Sequence, residues 1–285
     1  MSHGSCLKNS NLNIVLYDKS MGVTYSKVTS STTDDDYENI ENIKNTSIFD
    51  VNKDVECERD WIFTADTGVL PGSISIRMNM PSSYKTQTNI EKLRFSSISY
   101  AVAYVLSYDL VTLFRPSVEF IDKTMKSLCV GKTQISSRMA IKSIQKFGVC
   151  EYSEYSDGED SGGCDDFPSK KCILKAHNFN RIAYFKVTFE TIKKAICMGY
   201  PVILCVEIFN NNQISVDTII NPIDCSKSLG SIAIVVTGYD DCSNSFEYIN
   251  CVNSEWGKCD YSILKTYGHS MWVLKSTKYE DILEL

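Results

Sequence analysis

A mostly apolar stretch with small residues at its start, residues 96–108, predicts a helix at the centre of the fold. Ala101 and Val105 share one face at helical spacing, and the residues beside them are also apolar. Ser96 or Ser97 is placed to cap the first turn, because a hydroxyl oxygen can accept a hydrogen bond from one of the leading N–H groups. A helix that is apolar over most of its surface is buried, so we expect this one to be central.

Shorter helices are predicted after the central helix. Apolar positions at helical spacing indicate a helix over residues 136–147, and Gly148 is a natural stop for it. Thr188 is a candidate cap for a further helix that ends at Gly199. The last residues, 278–285, are predicted to form a short helical tail.

Strand patterns are concentrated in the C-terminal part of the chain. Runs of β-branched and apolar residues bounded by Gly, Asp or Asn predict strands over 200–206, 231–237, 246–250 and 271–274. Residues 13–17 predict one isolated early strand.

The same patterns divide the chain into consecutive units. The first unit is polar and acidic, and its residues 29–60 have so few apolar anchors that we expect poor order in isolation. The predicted units are an N-terminal arm over 1–65, a mostly helical half over 66–166, a strand-rich half over 167–276 and a C-terminal tail over 277–285.

Composition and charge exclude several partners. The net charge of −6 and the lack of a basic stripe argue against a nucleic-acid surface. No segment approaches the roughly 18 unbroken apolar residues of a membrane span. The first residues lack a basic start followed by an apolar run, so no secretory signal is expected.

The chemistry-bearing residues indicate neither a cofactor nor a metal. The twelve cysteines are spread singly, without the paired short spacings of a zinc cluster. Cys164, Cys172 and His177 are the remaining candidates for part of a metal site. Residues 131–133 resemble the end of a phosphate-binding loop, but the leading glycine is absent.

An acidic segment covers residues 151–166. A solvated loop is its simplest interpretation, and its spacing does not match an EF-hand calcium loop. A calcium site of another kind and an electrostatic docking loop for a basic partner stay open as alternatives.

Several short motifs surround the predicted central helix. They lie at residues 70–77, 80–87, 116–122, 142–150, 199–202, 238–241 and 253–257. Their order and spacing resemble the papain-like cysteine peptidases, particularly a microbial and large DNA virus branch, over residues 66–276. The resemblance implies an α+β papain-like fold with two subdomains, a helical left half with the central helix and a β-barrel-like right half.

The resemblance also implies where a catalytic site would lie. In that family a nucleophilic cysteine begins the central helix, whose positive end favours a thiolate, and a histidine is the base. Ser97 stands at the cysteine position and Ile232 at the histidine position. Asn253 matches the asparagine that orients the base, and Gln87 is the candidate for the oxyanion hole, although its spacing differs.

An isoleucine cannot accept a proton, so a serine at the helix start would stay an ordinary alcohol. The chain has three histidines, His3, His177 and His269, and none is expected to reach Ser97. The sequence therefore predicts a catalytically inactive homologue with a degenerate site at Ser97, Ile232 and Asn253.

The predicted function is a structural or protein-interaction role. Abundant Asn, Ile, Lys and Tyr suggest an AT-rich genome such as that of a large DNA virus. We therefore expect a virion component such as a minor capsid protein, located in the virion or host cytoplasm, with capsid subunits among its protein partners. A non-cleaving peptide-binding module and a serine-type hydrolase with a relocated base stay open as alternatives.

Overall fold

The protein is described by a computed structural model. The described residues are 15–18, 23–27, 51–77, 96–109, 114–128, 135–155, 167–209, 218–219, 228–251 and 254–276. The helices among them are α1 Ser97–Asp109, α2 Val118–Leu128, α3 Ser137–Phe147, α4 Lys170–Ala176, α5 Ile192–Cys197 and α6 Tyr261–Tyr267. The strands are β1 Val15–Asp18, β2 Val23–Lys27, β3 Val51–Asn52, β4 Trp61–Ala65, β5 Ser73–Ser75, β6 Ile135–Ser136, β7 Ile182–Lys186, β8 Val202–Ile208, β9 Thr218–Ile219, β10 Gly230–Asp240, β11 Ser245–Asn250, β12 Trp256–Asp260 and β13 Gly268–Ser276.

Eleven strands form one sheet. Its order is β1-β2-β4-β7-β13-β8-β10-β11-β12-β9, and β5 pairs with β10 outside this path. The neighbours β13, β8 and β10 are antiparallel and form the middle of the sheet. β3 and β6 form a separate parallel pair.

Two apolar clusters cover the two faces of the middle strands. Because side chains alternate along a strand, adjacent residues of β8 and β10 enter different clusters. The α1 cluster contains the apolar residues of α1 together with Ile203, Cys205, Ala233 and Val235. The α5 cluster contains Ile192 and Ile196 together with Leu204, Val206, Ile232 and Ile234.

The central helix is present where the sequence predicted it. α1 is buried over most of its length, including Ile98, Val102 and Leu106. Its start is stabilised by the buried carboxylate of Asp122 in α2, whose Oδ1 accepts from the Ser96 N–H at 2.9 Å. A carboxylate at a helix start offsets the positive end of the helix dipole.

Other predicted elements are also confirmed. Ser136 caps α3, its Oγ accepting from the Met139 N–H, and Gly148 ends that helix. Thr188 begins a capped 3-10 turn that leads into α5. The predicted strands correspond to β1, β8, β10, β11 and β13. The predicted tail over 278–285 lies outside the described residues.

The observed mixture of six helices and a large sheet confirms the predicted α+β fold class. Three helices, α2, α4 and α6, were not predicted. β4 pairs with β7 through Ile62 and Lys186, so the main sheet begins before residue 66. The division into an arm, two halves and a tail stays a prediction. No helix in the described part of the chain is both long and apolar enough to cross a membrane.

Candidate functional site

Ser97 is the first residue of α1, as the sequence predicted. Its side chain is buried, with the residue 2% exposed. Its Oγ accepts a hydrogen bond from the Ala233 N–H of β10 at 3.0 Å. The hydroxyl at the start of the central helix therefore fastens α1 to the middle of the sheet.

Ile232 faces away from α1. It is fully buried in the α5 cluster, whereas its neighbour Ala233 belongs to the α1 cluster. β10 carries one extra residue opposite β11, because its pairing shifts between Val236 and Gly238. Such a bulge shifts the alternation of side chains between the two faces of the sheet by one residue. Ala233, and not Ile232, is the residue of this pair that faces α1.

Asn253 and Gln87 both lie outside the described residues, as does His3. The degenerate site was predicted at Ser97, Ile232 and Asn253, with Gln87 as oxyanion donor. Because two of these four residues are not described, the site as a whole stays a prediction.

A serine and a histidine from strands on either side of β8 form a hydrogen-bonded pair. Ser231 Oγ lies 2.8 Å from His269 Nε2. Ser231 is paired across the strands with Glu207, and His269 with Cys205. Cys205 belongs to the α1 cluster, and residues directly opposite each other project from the same face, so the Ser231–His269 pair lies on the α1 side of the sheet.

The second ring nitrogen of His269 is held by its neighbour. His269 Nδ1 lies 3.0 Å from Ser270 Oγ, and that oxygen accepts from the Asp54 N–H at 2.8 Å. When Nε2 accepts the Ser231 proton, Nδ1 must carry the ring's own proton, and Ser270 Oγ is then its acceptor. Ser270 thus contacts the second ring nitrogen and orients the imidazole.

The segment that carries Asp54 is itself fixed in place. Asp54 Oδ2 accepts from the Trp272 indole N–H at 2.8 Å, and Oδ1 accepts from the Arg138 N–H at 3.0 Å. Arg138 also forms an ion pair with the buried carboxylate of Asp60. These bonds connect the segment before β4 to α3 and β13, so the support beneath His269 comes from three separate parts of the chain.

Burial lowers the pKa of His269 below its ordinary value of 6.5. Glu207 and Asp54 act in the opposite direction by favouring the imidazolium, while Lys53 adds to the lowering. The imidazole is therefore neutral at neutral pH and able to accept a proton.

This leads to a prediction for titration followed by NMR of the His269 ring protons. We expect a midpoint below 6.5. Since the unfolded chain binds this proton at a higher pH than the folded chain, His269 lowers the free energy of unfolding as pH falls from 6.5 through the folded-state pKa. A midpoint above 6.5 would contradict the environment described for the ring.

Cysteines are also present near the pair. Cys205 is fully buried, and its Sγ lies 3.0 Å from Ser137 Oγ. In the part of the chain that the structure describes, no group of three or more His, Cys, Asp or Glu side chains is placed to hold a metal ion. Cys172 contacts Ser169, and His177 contacts Asn180. Cys164, the third residue of the predicted partial metal site, lies outside the described residues.

Comparison with known proteins identifies the fold. No protein-family model and no curated protein sequence matches the chain. Among solved structures, xylellain, a cysteine protease from Xylella fastidiosa, matches with a TM-score of 0.70 and 20% identity, covering 84% of this chain and all of that one. Procathepsin L 3 from the larval midgut of Tenebrio molitor matches at a TM-score of 0.53 and 16% identity, over 74% of this chain and 72% of the other.

The proform of the ragweed cysteine protease Amb a 11 matches at a TM-score of 0.53 and 13% identity, over 75% of this chain and 67% of that protein. The chain therefore has the papain-like fold. At these identities the likeness concerns the fold alone, and the viral branch stays a prediction.

The prediction that the protein is an inactive homologue, and therefore not an enzyme, is wrong. It rested on the expectation that no histidine would reach Ser97 and did not consider Ser231, whereas His269 Nε2 lies 2.8 Å from Ser231 Oγ. Cys205 and His269 are also paired on the adjacent strands β8 and β13. The physical reason for the error is that the base was sought opposite Ser97, while the strand pairing brings His269 to a different serine.

Ser231, Ser270 and Asp54 were not among the predicted site residues. Ser231 was visible only as a polar residue at the start of an apolar strand, and Ser270 only as the neighbour of a histidine. Nothing local in the sequence connects them, because the pairing depends on β8 lying between β10 and β13.

Proposed function

We propose that the protein is a serine-type hydrolase of peptide or ester bonds, with Ser231 as nucleophile and His269 as general base. The observation that carries this proposal is the 2.8 Å separation of Ser231 Oγ and His269 Nε2. A neutral imidazole in contact with a hydroxyl is the arrangement that activates serine for attack on a carbonyl carbon.

The reaction follows from the positions of the two side chains. As Ser231 Oγ bonds to the carbonyl carbon, its proton passes to His269 Nε2 and the carbonyl electron pair moves onto oxygen. When the tetrahedral intermediate collapses, the bond to the leaving group breaks and that group takes the proton from Nε2. Water then attacks the acyl-serine with the same proton transfers, which releases the acid and restores the serine.

Two surrounding features support these steps. Ser270 is a positioning residue, since its Oγ holds His269 Nδ1 while the ring gains and loses its proton at Nε2. α1 begins beside Ala233, two residues along β10 from Ser231. The positive end of its dipole therefore lies on the same side of the sheet as the reacting hydroxyl and favours negative charge there.

The proposal is tested by reacting the pure protein with a neutral alkyl fluorophosphonate and measuring the intact mass. We expect one covalent adduct in the native protein and in Ser97→Ala, and none in Ser231→Ala. Ser97→Ala is the matched control because it removes a buried hydroxyl on the same side of the sheet. No adduct in the native protein, or an adduct lost only in Ser97→Ala, would overturn the assignment.

A role among other proteins is compatible with this chemistry. The expected place in a virion or host cytoplasm, the capsid partners and the origin in a large DNA virus rest on residue composition and stay predictions.

A further inference from the structure

Glu207 is the ionisable side chain directly across from the proposed nucleophile. It is opposite Ser231 in the antiparallel pairing of β8 and β10. Side chains opposite each other in such a pair project from the same face with their Cβ atoms about 5 Å apart. Glu207 therefore lies beside Ser231 on the face that also carries His269.

The Glu207 carboxylate has no polar partner within the described residues. It nevertheless acts on the site, since its negative charge raises the pKa of His269 against the effect of burial. The residue is half-buried, and a partly desolvated carboxylate without a partner is stabilised by a cation that approaches it.

The other charged side chains near the Ser231–His269 pair are not placed to bind a cation. Lys53 is close enough to lower the pKa of His269, but it is exposed and forms no ion pair with Glu207 in the described structure. The Asp54 carboxylate is already occupied by hydrogen bonds from Trp272 and Arg138. Among the described carboxylates that act on His269, Glu207 is thus the one without a hydrogen bond or ion pair to another described residue.

We propose that Glu207 selects substrates with a cationic side chain, lysine or arginine, next to the bond that is cleaved. The inference rests on the proposed hydrolase function, since it assigns the specificity of the same site. An ammonium or guanidinium group bound to Glu207 would hold the neighbouring carbonyl carbon near Ser231. A cationic substrate would therefore be attacked faster than a neutral one.

The test compares two aminoalkyl phosphonate diphenyl esters that differ only in side chain, one lysine-like and one leucine-like. The rate of adduct formation is measured by intact mass in the native protein, Glu207→Gln and Glu207→Lys. Using the ratio of the two rates within each variant removes the change that Glu207 substitution causes in the pKa of His269. Glu58→Gln, which neutralises an exposed carboxylate, is the matched control.

We expect the lysine-like probe to react about tenfold or more faster than the leucine-like probe in the native protein and in the control. The ratio should fall to about one in Glu207→Gln and below one in Glu207→Lys. Equal rates in the native protein, or a preference that survives Glu207→Gln, would overturn the inference while leaving the hydrolase proposal intact. Failure of both these probes and the neutral fluorophosphonate to modify Ser231 would overturn the hydrolase proposal itself.

Discussion

His269→Gln is expected to lower the rate constant for fluorophosphonate modification of Ser231 by about 10²- to 10⁴-fold. Glutamine retains much of the length of histidine and can still hydrogen-bond the Ser231 hydroxyl, but it cannot take the proton at neutral pH. The loss should therefore appear in the rate and not in the fold. The measurement is the time course of adduct formation, with far-ultraviolet circular dichroism to confirm the folded state.

His177→Gln is the matched control for that substitution. His177 lies in an exposed turn and contacts Asn180, so its replacement should leave the rate unchanged. Added imidazole should partly restore the rate in His269→Gly, in which the half-buried ring site is vacated. Unchanged modification in His269→Gln would show that Ser231 reacts without this base.

Gly148→Ala is expected to give the largest loss of stability among single methyl additions at the described glycines. A Cβ atom at this position would lie 1.8 Å from the carbonyl oxygen of Ala176 and 2.3 Å from its carbonyl carbon. The contact is with backbone, which cannot move aside as the end of a flexible side chain can. Gly148 also has a φ of 80°, in the left-handed region that a side chain disfavours.

The backbone at this point connects two helices. The Gly148 N–H donates to Ile144 O at 2.7 Å and ends α3, while the next residue, Val149, donates to Ala176 O at 3.2 Å. Moving the two backbone segments apart to admit a methyl group would break the hydrogen bond from Val149 to Ala176 and disturb the end of α4. We expect the free energy of unfolding to fall by about 3–5 kcal/mol, a size typical of overpacking combined with backbone strain.

Gly199→Ala separates the two causes of that loss. Gly199 has a φ of 82°, nearly the same as Gly148, but a Cβ atom there would meet only the Tyr108 hydroxyl at 3.7 Å. We expect a loss of about 1–2 kcal/mol from backbone strain alone. Both variants are measured by urea denaturation with fluorescence detection. Equal losses in the two would show that the close approach to Ala176 does not contribute.

Much of the fold follows from local sequence patterns. The apolar run of α1, and the apolar spacing and Gly148 stop of α3, are local signals, and both helices were predicted close to their observed bounds. α2 was missed because its buried face includes charged residues: Asp122 accepts from the Ser96 N–H, and Glu119 forms an ion pair with Lys123 of the same helix. α4 and α6 have seven residues each, and helices this short are stabilised mainly by tertiary contacts that periodicity does not record.

The candidate site was harder to predict from the sequence than the fold, because it also depends on tertiary contacts. Ser97 was placed correctly at the start of α1, because the motif that identifies it is contiguous. The partnership of Ser231 and His269 depends on the order of three strands, and Ser270 adopts a left-handed φ of 51° within a register shift of β13. The bulge of β10 lies between Ile232 and Gly238, and Ile232 faces away from α1. Such features arise from pairing between distant segments.

The residue that carries the adduct distinguishes Ser231 from the other candidate nucleophiles. After reaction with the fluorophosphonate, the native protein is digested and the site of attachment is located by tandem mass spectrometry. The Ser231–His269 pairing predicts phosphorus on Ser231 Oγ, at a rate that declines as the pH falls below 6.5 and His269 becomes protonated. Attachment to Ser97 or to Cys205, or an adduct on Ser231 whose formation is independent of the protonation of His269, would contradict it.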